Sequence, residues 1–291
     1  MTDTLEATSL IRCGLGEGPL WHPVNGCLYV TDIANRRVQV LDALLNRIRT
    51  IDLACTTTAM TWQQDGSLLC FHDRGAISRI SGSGDRCTVL DCLPDEIGGL
   101  YNDVIADTHG RVLCGTQPTA NRLGRLYAIE PDLSHRVLLD DVQEPNGLGF
   151  SPDGRALYFC DSVAQTIWKF PYDSSAGTLG AREVFFRVEG RALPDGLTVD
   201  TEGHVWSAQW NGAAVLRIDP SGRVVRTLKP PASRITSVCF GNTDFRTLYV
   251  TSAQDGADDH EPPPATRDDG AVFAFGGCGI GRAEFPSRLA S

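Results

Sequence analysis

A weak internal repeat constrains this chain more than any other feature, because six copies of one pattern leave few ways to bury a core. Each copy holds a turn, usually containing Gly, then a short β-rich run, a polar loop and a second β-rich run. The first runs read Gly26-Cys-Leu-Tyr-Val-Thr-Asp32, Gly66-Ser-Leu-Leu-Cys-Phe71, Gly110-Arg-Val-Leu-Cys-Gly115, Gly154-Arg-Ala-Leu-Tyr-Phe159, Gly203-His-Val-Trp-Ser-Ala208 and Arg246-Thr-Leu-Tyr-Val-Thr251. Aligning Tyr29, Leu69, Leu113, Tyr158, Trp206 and Tyr249 gives a period of roughly 40–48 residues, the range of propeller blades. The second runs, at 37–41, 76–80, 125–129, 166–170, 213–218 and 271–275, alternate as half-buried strands do. Amphipathic helices of three turns are hard to find. The pattern predicts an all-β fold, a six-bladed β-propeller with four-stranded blades around a central channel.

The repeat has no break, so residues 1–291 are expected to form a single domain with blades over about 13–275. The segment 8–12 has no partner in the first blade's register and is expected to supply the outer strand of the last blade. Residues 276–291 read as a loose, Gly-containing tail.

Composition removes several function classes. A formal net charge of −10, without Lys or Arg clusters, argues against nucleic acid or an anionic membrane as a partner. No run of 18 or more apolar residues suggests a membrane span. The start, Met1-Thr2-Asp3-Thr4-Leu5-Glu6, lacks the basic and apolar segments of a signal peptide, which points to the cytoplasm. The ten cysteines form no CxxC, and Cys70, Cys114, Cys160 and Cys239 sit in apolar runs where a thiol acts as a small hydrophobe. Reduced thiols are expected throughout.

The period also locates a site. The tight turn Ser151-Pro-Asp-Gly154 sends the second strand of its blade back, so all six inner strands start at one mouth of the channel. Counting back from the markers, these starts fall at Glu17, Ala59 or its neighbour, Asn102, Asn146, Asp195 and Val238. Four of the six carry a carboxylate or carboxamide. Singly, Glu-Gly, Asn-Gly and Asp-Gly are ordinary turn dipeptides. At a repeated register they bring like charges to one axis, where they repel unless a cation offsets them. Oxygen ligands suit one divalent cation such as Ca²⁺, Mg²⁺ or Mn²⁺, and a carboxylate-rich site also takes Zn²⁺.

At these residues the chain resembles the senescence marker protein 30, gluconolactonase and luciferin-regenerating enzyme family. The matching stretches are Leu15-Gly-Glu-Gly-Pro-Leu-Trp21, Tyr101-Asn-Asp103, Pro145-Asn-Gly-Leu148 with Ser151-Pro-Asp-Gly154, Pro194-Asp-Gly196 and Cys239-Phe-Gly241. The resemblance implies that Glu17, Asn146 and Asp195 ligate the metal, that Asn102 contacts substrate or a bound water, and that Asp195 is the base. It implies hydrolysis of a sugar lactone to its aldonic acid, with the cation as Lewis acid. No Gly-x-Ser-x-Gly elbow offers a serine nucleophile instead.

Two positions depart from the family. Leu100 stands where an Arg commonly precedes the Asn, and the loop at 117–124 has no acidic residue where a Glu often lies. Arg122 in that loop is a candidate contact for an anionic substituent. Trp210 is a candidate platform for a sugar face, and His72 and Asp73 are placed on the same rim. The charged, Pro-rich loop at 254–270 is a candidate partial lid. The leading reading is therefore a cytoplasmic sugar lactonase. A lactonase for an acidic or modified sugar, another small ester hydrolase, and a non-catalytic metal-binding scaffold are the alternatives.

Overall fold

The computed structural model describes residues 4–254 and 264–290. Its strands form six sheets, each an antiparallel meander, arranged as the blades of a propeller. The inner strands of blades 1 to 6 are Gly16–His22, Thr57–Trp62, Tyr101–Ala106, Pro145–Phe150, Leu193–Val199 and Ile235–Gly241. Among the described residues the helices are two three-residue 3₁₀ turns, Ile33–Asn35 and Pro94–Glu96. No helix among them is long and apolar enough to cross a membrane.

The core is divided among the seams between blades. Six apolar clusters form, one in each seam; Leu20, Tyr29 and Val38 of blade 1, for instance, pack on Met60, Leu68 and Cys70 of blade 2. A sheet with both faces covered this way reads as nearly continuous apolar runs, which is why Leu68–His72 and Ala156–Asp161 are buried throughout. None of the ten cysteines is in a disulfide, and Cys13, Cys70, Cys114, Cys160, Cys239 and Cys278 are buried.

Closure of the ring follows the expected scheme with a shift. The outer strand of blade 6 is Thr4–Thr8, paired antiparallel with Phe273–Gly276, so it lies a few residues before the expected segment. Ser9 then takes over both hydrogen-bonding roles beside Val272, through its backbone N–H (2.8 Å) and its Oγ (2.9 Å), and ends the pairing.

The C-terminal segment differs from the loose tail expected of it. It crosses the channel end opposite the inner-strand starts and bonds to five blades. Thr201 N–H donates to Ile280 O (2.8 Å), Gly281 N–H to Phe245 O (2.8 Å), Ser287 N–H to Trp62 O (2.8 Å) and Arg288 N–H to Gly110 O (3.0 Å). Arg282 donates to the carbonyls of Phe150, Ser151 and Pro152 at 3.0–3.1 Å. Leu289 is fully buried in the seam between blades 2 and 3. The segment is a strap that leaves the channel with one main mouth.

Candidate functional site

Every inner strand carries a register irregularity near its start. The shifts fall between Glu17 and Leu20, Thr57 and Ala59, Tyr101 and Val104, Pro145 and Leu148, Pro194 and Leu197, and Ile235 and Val238. A bulge breaks the strict in-out alternation of a strand and re-aims side chains. Here it brings one residue from the start of each of five strands, Glu17, Thr58, Asn102, Asn146 and Asp195, to the wall of one cavity, while Thr236 of the sixth is fully buried and bonds to Gly16 O and Thr251 Oγ1. In this register the positions equivalent to Glu17 are Thr58, Asn102, Asn146, Asp195 and Thr236. Blade 2 thus carries Thr58, a neighbour of Ala59 as the count along the sequence allowed, and blade 6 carries Thr236 where that count gave Val238.

The glycines after Glu17, Asn146 and Asp195 are part of the same device rather than turn formers. A Cβ on Gly147 would lie 2.5 Å from Asp195 O and 2.5 Å from Leu197 N, and one on Gly196 would collide with the Ser237 side chain. Neighbouring inner strands approach too closely there for any side chain. Of the three, only Gly18 has positive φ (48°).

The bulged starts open into a cavity of about 290 Å³. Its walls combine Glu17, Asn102, Gln117, Glu144, Asn146, Ser162, Asp195 and Thr58 with an apolar rim of Leu15, Ile33, Leu100, Leu193 and Trp210. That volume lies at the small end for small-molecule pockets. Among the described residues three carboxylates line it, and no Lys, Arg or His does.

Glu17, Asn146 and Asp195 are 8%, 8% and 6% exposed. Burial raises the Asp195 carboxyl well above the usual range, and repulsion from Glu17, Asp103 and Glu144 adds to it. Burial likewise raises Glu17, followed by repulsion from Asp103; an N–H from Gly18 works against this. Asn146 is held in one orientation. Ser162 Oγ donates its single proton to Pro194 O (2.7 Å), so it accepts from Asn146 Nδ2 (3.1 Å), and Asn146 Oδ1 is left for the cavity. Asn102 is fixed the same way, with Nδ2 donating to Pro145 O (2.7 Å). The donor set facing the cavity is therefore oxygen, in a negative field, and it fits a hard divalent cation.

Residues 15–254 match the model of the SMP-30/Gluconolactonase/LRE-like region. The chain belongs to this family. Among its relatives, the pentonolactonase XacC of Haloferax volcanii is 38% identical over 281 residues, covering 95% of this chain and 96% of that protein. Regucalcin of Gallus gallus is 30% identical over 288 residues, covering 95% of each. A crystal structure described as a calcium-binding protein, regucalcin, from Agrobacterium tumefaciens superposes with a TM-score of 0.86 at 28% identity, over 98% of both chains.

Within this family member the remaining sequence candidates lie as follows. Leu100 and Trp210 line the cavity. Arg122 does not: its guanidinium pairs with Glu96 and donates to Leu123 O (2.8 Å). Glu96 is fully buried and also accepts from Thr116 Oγ1 (3.1 Å) and Tyr127 OH (2.8 Å), so it is a fixed anion that holds Arg122. His72 is buried between Thr57 Oγ1 and Ser78 Oγ, 2.7 Å from each, and faces the blade. Asp73 bridges to Leu100 through backbone and stays outside the lining. Most of the proposed lid, 255–263, lies outside the described residues.

Glu144 and Ser162 are site residues that sequence reasoning missed. Thr58 shares the register of Glu17 and is the neighbour of Ala59 that the bulge selects. Glu144 sits two residues before Asn146, in a turn whose amides at Gln143 and Glu144 both donate to Asp161 at 3.0 Å. A second acidic group, Asp200, Glu202 and His204, lies away from the mouth and already contains a cation, since Arg217 donates to Asp200 (2.7 Å) and Glu202 (2.8 Å).

Proposed function

We propose that this chain hydrolyses a neutral, sugar-derived lactone, with one divalent cation held by Glu17, Asn146 and Asp195. The observation that carries this reading is the convergence of those three oxygen donors from three blades in a cavity that no cationic side chain among the described residues lines. The names of the relatives, a pentonolactonase and a calcium-binding regucalcin, support it.

A bound cation supplies Lewis-acid polarisation of the lactone carbonyl. The protein's own residues do the rest. Asp195, a carboxylate on the wall of the cavity, accepts a proton from the attacking water. Asn102, with its amide nitrogen anchored, offers Oδ1 to a sugar hydroxyl. Trp210, Leu100 and Leu193 cover the less polar face of the ring and exclude water.

The negative field of the cavity favours neutral substrates over acidic ones. Arg122, the group that would have welcomed an anion, is committed to Glu96. The test is proton release by metal-stripped protein refilled with Ca²⁺, Mg²⁺, Mn²⁺ or Zn²⁺, against neutral and acidic lactones, with pentonolactones first. Metal-dependent turnover of neutral lactones is expected; turnover of acidic lactones alone, or of none, would overturn the reading.

Ser162 is a positioning residue in this scheme. Ser162→Ala frees the Asn146 amide to flip and is expected to weaken metal binding by about 10–100-fold, the usual scale for losing a partner of a metal ligand. Calorimetric titration checks it, and Ser162→Thr, which keeps the hydroxyl, should recover most of the affinity.

A further inference from the structure

The wall of the cavity sorts by blade. Apart from Glu17, Asn146 and Asp195, its polar side chains are Thr58, Asn102, Gln117, Glu144 and Ser162. They lie at the mouth ends of strands in blades 2, 3 and 4, which are consecutive. The apolar side chains are Leu193 and Trp210 of blade 5 and Leu15 and Ile33 of blade 1, with Leu100 of blade 3 as the exception. Blade 6, between blades 5 and 1, adds no wall residue among the described ones, and its Ala253 bridges to Leu15.

Each side leaves something for a ligand to satisfy. Thr58 is 3% exposed, and its Oγ1 has no hydrogen-bond partner among the described residues. Asn102 Oδ1 is left over because Nδ2 is held by Pro145 O. On the other side Leu15, Ile33, Leu193 and Trp210 are half-buried, so the protein leaves part of their apolar surface uncovered. The Trp210 indole N–H is buried without a partner among the described residues, and it can only donate. An unmade buried hydrogen bond and uncovered apolar surface are both costly.

A sugar lactone has two unlike sides to match. From the carbonyl carbon the ring runs one way through carbons that carry hydroxyls. The other way lies the ring oxygen, then the carbon bearing the end of the sugar chain. With the carbonyl at a cation held by Glu17, Asn146 and Asp195, the hydroxyls meet blades 2 to 4. The ring oxygen, an acceptor with no proton of its own, comes to the side of the Trp210 N–H. The end of the chain meets Leu15, Ile33 and Leu193, where a CH₂OH would give up its hydrogen bonds to water and a CH₃ would be covered.

We infer that the substrate is the lactone of a terminally deoxygenated sugar, with CH₃ where an ordinary aldonolactone has CH₂OH. This rests on the lactonase reading and narrows it.

The test is proton release by the metal-loaded full chain with pentonolactones and hexonolactones, each beside the deoxy counterpart of the same configuration. kcat/KM is expected to favour the deoxy lactone by about 10–100-fold, the scale on which an apolar wall rejects an added hydroxyl. Calorimetric binding of the matching anhydroalditols, which keep the ring oxygen and lack the reactive carbonyl, should show the same order. Ile33→Asn and Leu193→Asn put a hydrogen-bonding group on the apolar side and are expected to bring the ratio close to one, through KM. The wild-type comparison needs no variant, so poor folding of either leaves the inference open to refutation. Equal efficiency within the pairs, a preference for CH₂OH, or a deoxy preference that both folded variants keep would overturn it while the lactonase reading stands. Loss of all turnover with the binding preference intact would overturn the lactonase reading instead.

Discussion

Replacing Asp195 by Asn is expected to lower kcat for lactone hydrolysis by about 10²–10⁴-fold, the usual worth of a positioned general base, and to raise the melting temperature of the metal-free protein. The two effects share one cause. Asp195 is buried beside Glu17, Asp103 and Glu144, and these raise its carboxyl well above the ordinary range. Without a cation, ionising it in the folded state costs more than in the unfolded chain. A raised carboxyl binds protons more tightly in the native state, so native stability falls as pH rises from the ordinary carboxylate range through the folded values. Asp103, pushed up to about 6, and Glu284, up to about 7, act in the same direction and place the loss between about pH 4 and 7. Added metal should reverse the loss, most strongly at the upper end of that window, because binding displaces protons. Asp195→Asn removes one repelling charge and keeps the shape. Thermal melts with and without chelator at pH 5 and 7.5, beside kcat, test the pair of effects. Retained turnover would remove Asp195 as the base, and an unchanged pH dependence of the melt would show that repulsion at the mouth is already relieved in another way.

Arg122→Ala is expected to destabilise the fold by about 3–5 kcal/mol, the scale for stripping the partner from a buried charge. Glu96 is fully buried, and Thr116 and Tyr127 satisfy its lone pairs without neutralising it. Arg122 is its only ion-pair partner among the described residues. The companion Glu96→Gln in the Arg122→Ala background should recover most of the loss, since the amide can still accept those hydrogen bonds. Urea unfolding checks both. A contact between Arg122 and an anionic substrate would give the opposite pattern: normal stability, with a raised KM for acidic lactones only.

This pair shows where sequence reading ran short. Glu96 and Arg122 are 26 residues apart, on a 3₁₀ turn and a loop. Nothing in the spacing says that one will sit beneath the other. Read alone, Arg122 is a cation near a predicted mouth. The strap is a second case. Its residues lack any periodic pattern because they form no strand; what orders them is backbone hydrogen bonding to four blades, the Arg282 side chain on a fifth and the burial of Leu289.

What the chain's order of residues determined by itself was the blade period, hence the propeller and the mouth at which Glu17, Asn102, Asn146 and Asp195 gather. Strand and turn preferences are local, and a repeat multiplies a weak local signal until it is decisive. The tertiary structure decided the rest: which residues at the bulges line the cavity, which way the Asn146 amide points, and that Arg122 is spent on Glu96. Each of these depends on charges and hydrogen-bonding groups from distant segments meeting in a buried place, where an unpaired group is costly and the partner that relieves it can come from anywhere in the chain.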